Sequence, residues 1–173
     1  MSSGFSIRIA RSDELERLGE IESRACDLFE GTEVFPDLNG EIFDPKELAE
    51  LIRQGQVWVA CFYDDIPVGF VIVLTVDNVL HIDELDVLPE FGRRGIGAAL
   101  LEHVCDRAAA NGFVAATLST FRDIPWNAPF YSKHGFQILE PAEFTPWMMR
   151  LRETDSSKGL RNETRVIMRR PFS

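Results

Sequence analysis

The chain has 173 residues, of which 45% are hydrophobic and 27% are charged, so it can form one ordinary domain with a buried core, and the composition excludes intrinsic disorder. Its net charge of −10 argues against binding to nucleic acid or to an anionic membrane. No apolar run approaches the roughly 20 residues of a membrane helix, and the N-terminus lacks the apolar stretch of a signal peptide. We therefore expect a cytoplasmic protein with a single domain over residues 1–173.

The first half of the chain shows strand and helix periodicities in turn. Alternating apolar residues predict strands, and apolar residues spaced three or four apart predict helices. The predicted elements are a strand at FSIRIA (residues 5–10), a helix from Leu15, a helix from Pro45 to Leu51 or Arg53, and strands at QVWVACFY, VGFVIVLTV and VLHIDELDVL.

The third of these consecutive strands contains a change of phase. Its apolar residues are Leu80 and Ile82, then Leu85 and Val87, so the alternation slips by one position after Ile82. One extra residue in a strand produces such a slip, and we predict a β-bulge at this point. Because bulges often occur beside active sites, the acidic residues within the slip become candidates for chemistry.

The second half contains one helix between two parallel strands. Ile96, Leu100, Val104 and Ala108 recur on one side of the helix, which ends at Asn111-Gly112. The strand FVAATLSTF should run parallel to VLHIDELDVL, because a helix connects the two. A short helix in WNAPFYSKHGF and strands at FQIL and TRVIMRR follow, whereas RLRETDSSKGLRN is a polar helix or an exposed loop. The predicted fold is α/β (α+β), with a mixed, mostly antiparallel central sheet, one central βαβ unit, helices on both faces and the order βααβββαβαββ.

The segment PEFGRRGIGAALL at residues 89–101 combines three glycines with two arginines. Gly92, Gly95 and Gly97 precede or open the predicted helix, and Arg93 and Arg94 lie between them. The first N–H groups of a helix have no internal acceptor and bind phosphates, and glycine allows a close approach. The order GxxGxG differs from the dinucleotide motif GxGxxG, and no GxxxxGK[ST] motif is present. The segment therefore predicts a phosphate site of another kind.

The stretch LDVLPEFGRRGIGAALLEHV resembles the coenzyme A motif of the GNAT superfamily of N-acetyltransferases, (Arg/Gln)-x-x-Gly-x-(Gly/Ala). Gly95 and Gly97 occupy the two small positions, and Gly92 stands where the family usually has Arg or Gln. The order of elements, the slip and the segment WNAPFYSKHGF also resemble this family. The resemblance implies a GNAT-type fold and direct transfer of an acetyl group from acetyl-CoA to a primary amine.

The resemblance also implies where acetyl-CoA would bind. Amides from Arg93 to Ala98 would bind the pyrophosphate, the backbone of Leu85–Val87 would pair with the pantetheine arm, and an N–H near Val87 or Leu88 would stabilise the oxyanion. The expected cofactor-binding residues are Leu85, Asp86, Val87, Gly92, Arg93, Arg94, Gly95, Ile96, Gly97, Ala98, Asn127 and Tyr131.

Two residues are candidates for proton transfer. Tyr131 would donate a proton to the departing thiolate, and Glu84 would accept one from the amine, directly or through water. Asp83 and Asp86 are alternative bases, and ordered water could replace any of them. Asn127 could hold the cofactor arm or cap the short helix. The three cysteines are far apart and form no Cys/His cluster, so we expect neither a disulfide nor a metal site.

The acceptor is suggested by charge alone. From Glu20 to Glu50 there are ten acidic residues against two basic ones, which favours a small cationic amine or an amino acid derivative. The alternatives are a protein lysine or N-terminal amine, and a non-catalytic acyl-CoA-binding module. A homodimer could form through the last strand, TRVIMRRPF. The aromatic residues that could line an acceptor pocket are Phe29, Phe35, Phe43, Trp126 and Trp147.

Overall fold

A computed structural model describes residues 4–38 and 43–173 of the chain. The acid-rich stretch is described except for residues 39–42, among them Glu41, which lie outside these ranges. The helices and strands, in chain order, are β1 (Ser6–Ile9), α1 (Leu15–Cys26), α2 (Pro45–Arg53), β2 (Val57–Cys61), β3 (Pro67–Val76), β4 (Val79–Val87), α3 (Ile96–Ala110), β5 (Ala115–Phe121), α4 (Ala128–Lys133), β6 (Gln137–Ile138), α5 (Pro146–Ser157) and β7 (Arg165–Pro171).

The predicted order is confirmed except for α5, which adds a helix between the last two strands. Sequence analysis left the polar stretch from residue 150 open and did not recognise the start of this helix. That start is a cap: the Thr145 hydroxyl accepts a hydrogen bond from the Met148 N–H, and Pro146 occupies the first helical position. Only Met148 is fully buried along α5, so the helix lacks the apolar stripe that periodicity detects.

One seven-stranded sheet has the order β1-β2-β3-β4-β5-β7-β6. Neighbouring strands are antiparallel except for β4 and β5, which are parallel as predicted. The last strand in sequence, β7, lies between β5 and β6, so it is not the free edge that a dimer through this strand would use.

The β4–β5 pair separates partway along its length. Val79 to Ile82 pair with Ala115 to Leu118, and the pairing ends there. On the other side of β4, Ile72 pairs with Glu84 while Val73 pairs with Ile82, so Asp83 is the extra residue of a bulge. The bulge that the phase slip predicted is confirmed, and it lies where the two parallel strands diverge.

The helices that flank this opening are fixed by buried apolar residues. On α3 the buried residues are those that periodicity predicted: Ile96, Leu100, Leu101, Val104, Cys105 and Ala108. On α1 the inward face contains Leu18, Ile21 and Ala25, and it also contains an acid, Glu22. Within residues 4–38 and 43–173, no helix is long and apolar enough to cross a lipid bilayer.

Candidate active site

A cavity of about 1020 Å³ lies where β4 and β5 diverge. Its walls come from α1, α2, the divergent ends of β4 and β5, the start of α3, α4 and the segment that follows α5. Every predicted site residue except Arg94 lines this one space: Glu84, Leu85, Asp86, Val87, Gly92, Arg93, Gly95, Ile96, Gly97, Ala98, Asn127 and Tyr131.

The entrance to α3 presents a row of free backbone donors. The Gly92 N–H donates to the Pro89 carbonyl at 3.1 Å, and the Ala99 N–H donates to the Gly95 carbonyl at 2.9 Å. Between them, the N–H groups of residues 93–98 find no acceptor in the part of the chain that the structure describes. The turn needs a left-handed backbone at Gly95, with φ of +79°, which glycine adopts without strain. Gly92 also lines the cavity, but its N–H is already bonded to Pro89 and is not free for a ligand.

The two arginines of the glycine segment have different positions. Arg93 lines the cavity, whereas the Arg94 guanidinium lies over the Phe91 ring, 5.2 Å from its centroid. The structure therefore places Arg93, and not Arg94, at the cavity, and a contact of either arginine with a phosphate stays a prediction. The Arg94 cation is placed on an aromatic face, where the ring quadrupole attracts it.

The backbone of β4 offers further free groups. The Leu88 N–H donates to the Val68 carbonyl at 2.9 Å, so it cannot stabilise an oxyanion, and that alternative is wrong. Hydrogen-bonded and non-hydrogen-bonded pairs alternate along antiparallel strands, so the backbone groups of Leu85 and Val87 point away from β3 and toward β5. Because pairing with β5 has ended by then, these groups face the cavity.

Three carboxyl groups form the acidic wall. Burial raises the pKa of Glu84 to about 8, and the charges of Glu22 and Asp83 add to this rise. Burial and the Glu84 charge raise the pKa of Asp86 well above its usual range, and the two carboxyls are close enough to share a proton. Burial raises the pKa of Glu22 to about 7, although the Phe43 N–H donates to both of its oxygens at 3.0 Å. Glu84 and Glu22 therefore exchange protons near neutral pH.

Tyr131 faces the same wall from α4. It is 8% exposed, and its ring packs on Phe130 and Phe136 with centroid distances of 5.1 and 5.8 Å. Burial, followed by the charges of Glu84 and Asp86, raises the pKa of its phenol, which therefore remains a proton donor. Such a group can protonate a leaving thiolate.

Asn127 precedes α4 and also lines the cavity. Its side chain makes no capping hydrogen bond to the helix, so the capping alternative is not what the structure shows. Asn127 therefore lines the cavity without capping the helix.

Sequence analysis missed a polar network at the part of the cavity wall formed by β5, α5 and β7. The Arg165 Nε donates to Asp155 Oδ2 at 3.2 Å, and its Nη2 donates to the Ser119 carbonyl and hydroxyl oxygens, each at 3.1 Å. The Ser119 hydroxyl donates to the same Asp155 oxygen at 3.2 Å. These residues, with Lys158, line the cavity from β7, α5 and β5. The signal available in the sequence was Arg165, a charged residue at the start of a strand whose next three residues are buried.

Aromatic residues cover part of the cavity. Of the five that sequence analysis named, Phe29, Phe43 and Trp126 line it, and the Phe29 ring meets Trp126 edge-on at 5.4 Å. Phe35 does not line it, and Trp147 instead packs against the buried His81 at 4.6 Å.

Arg161 connects the segment after α1 to the segment that follows α5. Arg161 forms an ion pair with Asp37, with 2.8 Å between Nε and Oδ2, and its Nη2 donates to the Glu33 carbonyl at 3.0 Å. These contacts connect the segment at residues 27–38 to the segment that follows α5. Both segments also line the cavity, through Asp37 and Leu160.

Among the residues that the structure describes, no group of three His, Cys, Asp or Glu side chains is placed to hold a metal ion. Cys61 and Cys105 are buried in the core, and Cys26 lies at the cavity wall.

Comparison with known proteins identifies a matching family and several similar proteins. Residues 15–136 match the Acetyltransferase (GNAT) family. The chain is 30% identical over 143 residues to the peptidyl-lysine N-acetyltransferase YjaB of Escherichia coli K12, a match that covers 80% of this chain and 86% of that protein. It is 29% identical over 107 residues to the probable N-acetyltransferase san of Drosophila melanogaster, and that match spans only 58% of either protein.

Solved structures share the architecture at lower identity. The PaiA N-acetyltransferase from Thermoplasma acidophilum, in complex with coenzyme A, is 20% identical with a TM-score of 0.74, over 99% of this chain and all of that one. The N-acetylglutamate synthase from Neisseria gonorrhoeae, complexed with coenzyme A and N-acetyl-glutamate, is 20% identical with a TM-score of 0.73, over 98% of this chain and 35% of that one. These likenesses confirm the predicted fold.

Proposed function

Because the chain belongs to the GNAT family of acetyltransferases, and is therefore an acyltransferase that uses acetyl-CoA, we propose that it acetylates a primary amine in a ternary complex. The acceptor in this proposal is a small cationic amine or an amino acid derivative. One observation carries the proposal: residues 93 and 95–98, whose N–H groups have no acceptor among the described residues, line the same cavity as Glu84 and Tyr131.

In the proposed complex, the entrance to α3 binds the pyrophosphate of acetyl-CoA. Six consecutive N–H groups without acceptors, at the positive end of a helix dipole, suit a diphosphate, and Arg93 adds a charge-assisted contact. The free backbone groups of Leu85 and Val87 pair with the amides of the pantetheine arm as an added strand would. The Asn127 amide offers a further donor along this path.

The proposed reaction needs three proton transfers. The Glu84 carboxylate removes a proton from the bound ammonium group, directly or through water, and the freed nitrogen attacks the thioester carbon. The N–C bond forms while the Val87 N–H stabilises the oxyanion, and the C–S bond then breaks. The departing sulfur takes the phenolic proton of Tyr131, and the nitrogen of the adduct gives its second proton to the Tyr131 phenolate, which leaves the acetylated amine and coenzyme A thiol.

The acidic wall supports a cationic acceptor. Of the acid-rich stretch at residues 20–50, Glu22, Asp37, Asp44 and Glu47 line the cavity, whereas Glu20 and Glu50 form ion pairs with Arg17 and Arg53 on the surface. The attraction at the reacting centre therefore comes from Glu22 together with two acids of β4 rather than from the stretch as a whole.

A peptide lysine is the second candidate acceptor, and the match to a peptidyl-lysine N-acetyltransferase favours it. Arg161 connects the segment at residues 27–38 to the segment that follows α5. This connection favours a small acceptor instead, because an extended peptide needs an open groove. A binding module without catalysis would need neither a protonated phenol nor a titratable carboxyl in the cavity, and both are present.

Calorimetric titration with acetyl-CoA tests the first half of the proposal, and thiol release over a panel of amines tests the second. The panel contains diamines, amino acids, amino acid amides, neutral alcohols as controls and a lysine-containing peptide. We expect acetyl-CoA to bind and cationic amines to be acetylated. Binding without turnover of any amine would support the non-catalytic alternative, and faster turnover of the peptide than of every small amine would support the protein acetyltransferase.

A further inference from the structure

Two cations face the cavity without an acceptor. Arg165 uses Nε and Nη2 for Asp155 and Ser119, and within the described ranges its Nη1 donates to no oxygen. The Lys158 ammonium group likewise forms no hydrogen bond or ion pair with any residue that the structure describes. Both residues line the cavity, Arg165 from β7 and Lys158 from the end of α5.

The charges of these cations reach two acids of β4. Burial raises the pKa of Glu84, and the Arg165 charge opposes that rise. Burial also raises the pKa of Asp83, and there the opposing charge is Lys158. The cavity therefore presents carboxyls that suit an ammonium group and, across the same space, two cations that suit an anion.

Arg165 is expensive to bury for a purely structural purpose. Its side chain is 13% exposed, and burial lowers the pKa of the guanidinium, which shows that the charge is poorly solvated. Asp155 satisfies one edge, and the guanidinium lies 4.9 Å from the centroid of the Phe121 ring. A buried guanidinium that has an unused N–H donor is stabilised by a further anion that accepts a hydrogen bond from that nitrogen.

We propose that Arg165 Nη1 and Lys158 form an anion subsite that binds a carboxylate of the acceptor, so that the acceptor is an amino acid. This inference rests on the proposed acetyl transfer and narrows its substrate class. Asp155 already balances one of the two positive charges, so the subsite suits a single carboxylate rather than a phosphate dianion. The amino group of the same molecule then lies toward Glu84, and the two ends of a zwitterion meet opposite charges.

The test compares acceptors that differ only in the carboxylate. Each amino acid is assayed beside its C-terminal amide and its decarboxylated amine, for instance glycine with glycinamide and methylamine, or arginine with argininamide and agmatine. We expect kcat/KM to favour the carboxylate member of each set by roughly tenfold or more, as a charge-assisted hydrogen bond predicts. Binding of N-acetylated amino acids to the coenzyme A complex gives the same comparison without turnover.

Three variants assign the preference to this subsite. Lys158→Gln changes an exposed side chain, and the paired change Arg165→Gln with Asp155→Asn removes the guanidinium without leaving an orphan carboxylate. Both should reduce the ratio of carboxylate to amide kcat/KM toward one, through a higher acceptor KM, with unchanged acetyl-CoA affinity. Arg122→Gln is the matched control, because Arg122 donates to the Glu163 carbonyl at 3.2 Å outside the cavity and should keep the wild-type ratio.

Each outcome separates the subsite from the reaction. Acetyl transfer to amines with a wild-type ratio near one would overturn the anion subsite and leave the proposed function intact. A wild-type preference that survives both Lys158→Gln and the paired change would also overturn it. Failure to bind acetyl-CoA, or to acetylate any amine, would overturn the proposed function and this inference together.

Discussion

Replacing Glu84 by glutamine removes the proposed base while preserving side-chain volume, so it tests the reaction without threatening the fold. With a pKa of about 8, Glu84 is mostly protonated at neutral pH, and only its carboxylate can accept a proton. The active fraction rises from about 1% at pH 6 to about 50% at pH 8, so kcat/KM should rise roughly fifty-fold across that interval. Rate therefore increases with pH and levels off above the pKa.

Thiol release at saturating acetyl-CoA, from pH 6 to 9.5, measures this rise of kcat/KM with pH, which we call the pH limb. Glu84→Gln should lose it and lower kcat by about 10²- to 10⁴-fold. Glu47→Gln is the matched control, since Glu47 lines the cavity from α2 and is exposed. Glu22→Gln should move the midpoint to lower pH, because the Glu22 charge raises the pKa of Glu84. A Glu84→Gln enzyme that keeps the limb near pH 8 would refute the assignment.

Three further outcomes follow from the site. Tyr131→Phe should keep the packing of the ring and lower kcat about 10²-fold with little change in acetyl-CoA affinity, and an unchanged kcat would remove Tyr131 as the acid. Arg93→Ala should weaken acetyl-CoA binding by about tenfold in calorimetry, more at low salt, whereas Arg94→Ala should not, and equal losses would contradict the two positions. Because folding raises the pKa of Glu22 from 4.5 to about 7, its native state retains a proton that the unfolded chain releases, so its contribution to the free energy of unfolding should fall by about 2 kcal/mol from pH 5.5 to 7. Chemical denaturation of wild type and Glu22→Gln measures this slope, and parallel slopes would contradict it.

Local sequence patterns predicted the parts of the site that depend on one element. The slip between Ile82 and Leu85 located the bulge, because side-chain alternation along a strand is fixed by geometry. The glycines located the free amides, because the first turn of any helix lacks internal acceptors. Each of these conclusions required only the chain's immediate neighbours.

The parts that were missed depend on contacts between distant segments. Asp155, Ser119 and Arg165 meet only because α5 packs beside β5 and β7, and α5 has too few buried residues for its periodicity to be visible. Arg94 and Arg93 are adjacent in sequence, but a positive φ of 60° at Arg93 places them differently relative to the cavity. Counting charges also overestimated how many acidic residues face the cavity. Glu20, for example, forms an ion pair with Arg17, and composition alone does not locate such pairs.

The raised pKa values have a consequence for how the two substrates share one cavity. The amides at residues 93–98 would hold a phosphate-rich anion, and ionised carboxyls in the same space would repel it. Glu84 lessens this repulsion because burial keeps it mostly protonated at neutral pH, and a bound anion would raise the pKa values of Glu84 and Asp86 further. An ammonium group at the acidic wall has the opposite effect and favours the ionised carboxyls. Binding of the amine should therefore release protons and supply the Glu84 carboxylate that the reaction needs.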